Sequence, residues 1–244
     1  MIRWARLTWQ VPDPAPFAEQ LGARLGVAAH TGGGLVPNAR TIDLGSAVLE
    51  VRTWMREGPM DDPRPAGRLV LEPVSGGELV PEDDAPPART NGAGRTPPLR
   101  LAGLGCATVE LDRAAEELGM WLCDERGPVA PDPLLGSHTH LYDAGGLPGD
   151  RVVLLEPSTE GRLAASLARD GEGPAALYLV AAGGVRAWLA AARARGVAVS
   201  ARRIGPLGSS VLIAGGPTSG PHLVIVDAPR GSRPGASAAG TIAP

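Results

Sequence analysis

A strand, a helix and three further strands follow one another in this chain, and the pattern returns twice more, near residues 1–57, 100–157 and 174–229. In the first copy, IRWARLTWQV (2–11) reads as a strand that PDP breaks. The next stretch, APFAEQLGARL (15–25), sets Phe17, Leu21 and Leu25 on one helical face, and Gly26 is a suitable stop. VAAHT, ARTIDLG and AVLEVRTW complete the unit, and GRLVLEP (67–73) extends it. In the second copy, LAGLGCATVEL (101–111) precedes a helix over 113–122, with Asp112 as its cap and Ala114, Leu118, Trp121 and Leu122 on one face. A Pro-rich loop, GPVAPDP, then leads to HTHLYDAG and DRVVLLEP. In the third, AALYLVA (175–181) precedes a helix that places Val185, Trp188, Leu189 and Ala192 together. VAVSARRIG, SSVLIAG and HLVIVDAP follow as strands.

One βαβββ unit cannot close a core. Its helix covers one face of a four-stranded sheet, and the curved opposite face needs a partner. Two units side by side make a cup with a cavity between them, a common place for a ligand. The expected class is therefore α+β, with paired βαβββ units forming a cup-shaped mixed sheet and helices outside. The first unit spans 1–74, and residues 75–99, rich in Pro and Gly, form a linker. The second and third units form a pair over 100–229, and 230–244 is a disordered tail. With three units, one lacks a mate. It either meets the same unit of a second chain in a twofold homodimer or caps one of the other two.

Charge and composition exclude some partners. The net charge is −3, and no basic stripe alternates with aromatics, which argues against nucleic acid. No run of 18 apolar residues and no signal segment is visible, so no membrane partner is expected and a cytoplasmic location is. Cys106 and Cys123 lie in apolar surroundings and read as buried free thiols.

The segment VVLLEPSTEGRLAASLARDGEGPAALYLVAAGGVRAWLAAARARGV resembles the join between the two halves of a methylmalonyl-CoA epimerase, and NARTIDLGSAVLEV resembles the N-terminal unit of glyoxalase-like proteins. Both belong to the vicinal oxygen chelate superfamily. The resemblance implies a divalent metal in the cup, held by His, Glu or Gln from the first and last strands of each paired unit. In this chain those positions fall on Ala175 and Ala176, on Val224 or Ile225, on Gly103, on Val153 and on Trp4. Only Glu50 keeps a ligand-type side chain, and one carboxylate does not hold such an ion tightly. No cofactor is therefore expected, although His138 and His140 with Glu50 offer a set from which a metal site would be rebuilt.

Two functional readings follow. The resemblance to resistance members, which sequester a drug in metal-free cups with aromatic walls, implies small-molecule binding, with Trp4, His138 and His222 as ligand contacts. The alternative is a metal-independent isomerase, lyase or cyclase acting on a carbonyl-bearing metabolite. In that reading Glu50, His140 and Tyr142 supply the acid–base groups, since His140 and Tyr142 share a strand face.

Overall fold

The computed structural model describes residues 4–31, 38–45, 47–53, 68–73, 98–122, 129–143, 151–214 and 220–227. The tail, and the linker up to residue 97, lie outside these residues.

The first unit forms a five-stranded sheet from β1 (Trp4–Val11), β2 (Ala29–Thr31), β3 (Arg40–Asp43), β4 (Val48–Thr53) and β5 (Arg68–Pro73), ordered β2-β3-β4-β1-β5. β1 runs parallel to β4 and antiparallel to β5. The helix α1 (Pro14–Leu25) begins with proline, whose missing N–H is no loss in a first turn. It ends at Gly26, which has φ of 76° and donates to the Gly22 carbonyl at 2.8 Å. Its Ala18, Leu21 and Leu25 are buried with Leu7, Trp9, Leu49 and Val51 of the sheet, and Phe17 meets Trp9 edge to face at 4.8 Å.

The second and third units build one eight-stranded sheet. Its members are β6 (Leu99–Ala107), β7 (Ala130–Asp132), β8 (Ser137–Asp143), β9 (Arg151–Pro157), β10 (Gly173–Ala181), β11 (Arg203–Gly205), β12 (Gly208–Leu212) and β13 (His222–Val226). The order β11-β12-β13-β10-β6-β9-β8-β7 is a palindrome of the two units. Each first strand pairs parallel with its own last strand, β6 with β9 and β10 with β13, and the two first strands pair antiparallel. The sheet curls until its ends approach, with Gly205 of β11 beside Asp132 of β7. β7 lies where the sequence predicts only loop. Its Pro131 is tolerated because this is an edge strand.

The helices α2 (Leu111–Leu122) and α4 (Gly184–Ala194) cover the outer face, and α3 (Arg162–Asp170) joins the units. An acid at the end of each unit's last strand fastens that unit's helix. Glu156 Oε2 accepts from the Leu111 N–H at 2.9 Å, and Asp227 Oδ1 from the Val185 N–H at 2.7 Å. Both satisfy first-turn N–H groups that no helix can pair internally, and they put negative charge at the positive helix end. Asp112, predicted to cap α2, instead lies inside its first turn. The side chains of Trp121 and Leu122 lie outside the described residues. Glu172 adds a second fastening at the α2 start. It accepts from Thr108 Oγ1, the Val109 N–H and, on both carboxylate oxygens, Arg113 Nη2, and these bonds draw its pKa down to about 2.

The first unit caps the third within the same chain. One core runs from α1 and β1 through Leu99, Leu101, Leu177 and Leu179 to Val185 and Trp188 of α4. Trp188 Nε1 donates to the Leu25 carbonyl at 3.2 Å, and the Leu101 N–H donates to the Leu44 carbonyl at 2.9 Å. β5 fills the place beside β1 that a partner unit's first strand fills beside β10. Trp188→Phe is expected to lower stability by about 1 kcal/mol through its lost hydrogen bond, and Trp188→Ala by about 3–5 kcal/mol. Urea unfolding of both variants checks the order, and equal small losses would show that the two units are not coupled through this residue.

Candidate functional site

The fold supplies a cup, and this chain fills it. Strand parity turns Ala176, Tyr178 and Val180 of β10, Val153 and Leu155 of β9, and Val224 and Val226 of β13 inward, where they pack as one buried cluster. Leu163 of α3, Leu135 and Leu207 pack against them. The close fit shows at Gly105. A Cβ there would lie 2.8 Å from Ala176 Cβ and 2.8 Å from Leu155 Cδ1, closer than packed carbons approach. The inward positions that correspond to metal ligands thus carry Ala176, Val224, Gly103 and Val153, none of which offers a donor side chain. Among the described residues, no three His, Cys, Asp or Glu side chains gather as a metal site would need. These residues do not fit a divalent ion.

Among the polar residues that face the cup is an ionisable pair that sequence reading missed. Tyr178 donates its hydroxyl to Asp132 Oδ2 at 3.0 Å, while Asp132 Oδ1 accepts from the N–H groups of Leu134 and Leu135 at 2.9 and 3.3 Å. Burial pushes the Asp132 pKa upward, against the pull of these three bonds, and pushes Tyr178 well above the usual phenol range. The pair is buried and saturated. It ties the β7–β8 turn to the middle of the opposite unit.

The predicted catalytic residues do not share one site. His138, His140 and Tyr142 do share a strand face, but it is the outer one. Their register partners are Glu156, Leu154 and Val152, and the inward positions of β8 belong to Thr139 and Leu141. Tyr142 is buried with Leu111 and Ala115 of α2, His140 is buried at a ring separation of 6.3 Å from it, and His138 is exposed. Glu50 belongs to the other sheet, in a cross-strand row with Thr8, Thr41 and His30, where Glu50 and Thr8 are both buried. The backbone of Trp4 lies opposite Pro73, and its side chain is outside the described residues. Burial pushes the Cys106 thiol up to about 12, so it is inert, and Cys123 lies outside the described residues.

His222 is placed differently. It opens β13 on the inward side, opposite Ala176, and so stands at the rim of the cup. Its Nε2 lies 3.1 Å from Oγ of Ser166, a buried α3 residue, and the ring also bonds to the Arg162 backbone carbonyl. A neutral imidazole has one N–H. With that N–H on Nδ1, Nε2 accepts from the Ser166 hydroxyl; with it on Nε2, the ring donates to Oγ. A shallow cleft opens beside the pair, lined by Leu69 of the first unit, Ser166, Ala175 and Gly220, and by the acidic residues Asp170 and Glu172. Gly220 has φ of 121°, and a Cβ on it would overlap the Trp9 indole, so glycine is required for this wall to close against the first unit. Nothing in the sequence marks Ser166, because its role depends on a contact 56 positions away.

Burial first, then the Arg162 guanidinium, holds the His222 pKa below the ordinary 6.5. The Arg162 carbonyl and the Asp170 carboxylate pull upward, and Arg169 pushes down. The unfolded chain therefore binds a proton that the folded chain does not. Stability is full above pH about 6.5 and declines as pH falls through that value toward the lower folded pKa. Melting temperatures between about pH 5 and 8 are expected to show this decline in the wild type and a flatter profile in His222→Gln. Parallel profiles would show that His222 does not titrate in this range.

No family model matches the sequence, and no curated protein does. Solved structures do. Methylmalonyl-CoA epimerase from Mycobacterium tuberculosis is 21% identical, with a TM-score of 0.47 over 56% of this chain and 93% of that one. A methylmalonyl-CoA epimerase in complex with methylmalonyl-CoA and NH4+ is 22% identical, with a TM-score of 0.46 over 54% and 96%. A hypothetical protein from Bacillus halodurans C-125 is 16% identical, with a TM-score of 0.44 over 53% and 94%. The topology described above stands independently of these likenesses: two βαβββ units are joined through antiparallel first strands, each first strand parallel to its own last, which is the paired arrangement that the sequence resemblance to the vicinal oxygen chelate superfamily implies.

Proposed function

We propose that this chain binds a small organic molecule without a metal, at the rim of the cup and not in its centre. The observation that carries the reading is the Ser166–His222 pair, whose serine lines a cleft with mostly small or apolar walls and two acids, Asp170 and Glu172. Such a site, apolar with few placed polar groups and lying where two packed units meet, is the usual setting for a small ligand. The inward positions that carry metal ligands elsewhere in the superfamily bear no donor side chain here, which supports chemistry independent of a metal. For an unreactive ligand the outcome is sequestration.

The test uses the full chain. Trp9 backs the Gly220 wall of the cleft, so its fluorescence reports on occupancy. Titration with small carboxylates, esters and amides is expected to change that emission. His222→Gln is expected to weaken the best binder about tenfold, the worth of about 1.4 kcal/mol for one hydrogen bond. Metal content after soaking in Zn²⁺, Mn²⁺ and Fe²⁺ is expected to stay substoichiometric. Stoichiometric metal, or unchanged affinity in the variant, would reject the reading.

A further inference from the structure

Ser166 and His222 meet the geometric requirement for a nucleophile and its base. The hydroxyl and Nε2 are 3.1 Å apart, within the range for proton transfer. In the tautomer whose N–H sits on Nδ1, Nε2 accepts from the Ser166 hydroxyl, and the Arg162 backbone bonds to the same ring as a third group. The imidazole is held neutral at neutral pH and is therefore in its basic form. A cation stands ready as well. Arg169 Nη2 is 3.5 Å from Ser166 Oγ, while its salt bridge to Asp170 at 2.7 Å holds the guanidinium in place. The Asp170 carboxylate on the same nitrogen offsets part of that charge, so Arg169 gives partial stabilisation to an oxyanion formed beside Oγ. Ser166 is buried, yet it lines the cleft.

We propose that the Ser166 hydroxyl takes an acyl group from small activated esters or thioesters, with His222 as its base, an activity that rests on the rim cleft being the binding site. Oγ attacks the acyl carbon as its proton passes to His222 Nε2. The bond from that carbon to the leaving oxygen or sulfur breaks, and the leaving group departs as an anion or takes the proton from His222. When the leaving group departs as an anion, His222 gives its proton to solvent and is neutral again. Water then attacks the Ser166 ester as its proton passes to His222 Nε2, the bond from the acyl carbon to Oγ breaks, Oγ takes that proton back, and the carboxylic acid leaves. No oxidation change and no metal is involved. The glycine, alanine and proline walls select a short acyl chain.

The probe is 4-nitrophenyl acetate, with nitrophenolate release followed by absorbance and the protein followed by intact mass and peptide mapping. The expected result is one acetyl group on Ser166, formed faster as pH rises through the His222 titration. His222→Gln is expected to slow acylation about a hundredfold, the scale of general-base assistance. Ser166→Ala is expected to abolish the adduct, and Ser166→Cys to restore acyl transfer, which separates chemistry from loss of folding. Binding of acetanilide, which cannot transfer its acyl group readily, is measured alongside by equilibrium dialysis. Acetanilide binding with neither an adduct nor nitrophenolate release above that of Ser166→Ala overturns the acyl-transfer proposal and leaves the binding reading intact. Absence of both overturns the two together. An adduct that persists in Ser166→Ala overturns the assignment of Ser166.

Discussion

The antiparallel pairing of β6 with β10 is the constraint on which the rest depends. Each of these strands also carries its own unit's last strand in parallel on its other side. Breaking the central ladder would therefore separate the sheet into two four-stranded halves, each with an uncovered apolar face. Close approach across this ladder also sets what the cup can contain. Gly105 and Ala176 face each other across it, and they are small because Tyr178 and Leu155 occupy the space above them. Once a tyrosine sits at the centre of the cup, its hydroxyl must find a partner, and Asp132 provides it from the far edge. The curl of the sheet, the filling of the cup and the burial of Asp132 are thus one solution and not three.

Much of the fold was legible because its signals are local. The helix α1 is marked by Phe17, Leu21 and Leu25 at helical spacing with Gly26 behind them, and the structure agrees within one residue at the start. The alternation of HTHLYD correctly places His138, His140 and Tyr142 on one face. What the alternation does not contain is which face. That depends on whether α2 or the partner unit covers the strand, and helix and cup both demand apolar neighbours. Tyr142 suits either side. β7 escaped notice because two of the residues around it are prolines, and prolines read as loop unless the strand is known to be an edge.

The site was less legible than the fold for a related reason. Function in this fold is usually read from ligand-type residues at fixed strand positions, and those positions here hold alanine, valine and glycine. The polar groups that matter at the rim come from a joining helix and from the first residue of a strand. Ser166 carries no periodic signal, and His222 follows Pro221 at a place where any polar residue is common. Only the packing of α3 against β13 brings the two within hydrogen-bonding distance.

Glu156 and Asp227 occupy equivalent places, each at the end of a last strand and each holding the first turn of the helix in the same unit. These two fastenings begin and end inside one repeat, whereas Glu172, the Tyr178–Asp132 bond and the Trp188–Leu25 bond cross between repeats. A repeat so built holds its own helix in place and is joined to its neighbours by a few specific bonds as well as by apolar surface. Copying such a segment within a gene adds a piece whose helix is already seated. The first unit shows how that freedom can be spent: it leaves the pair of the second and third units intact and lies against its outside.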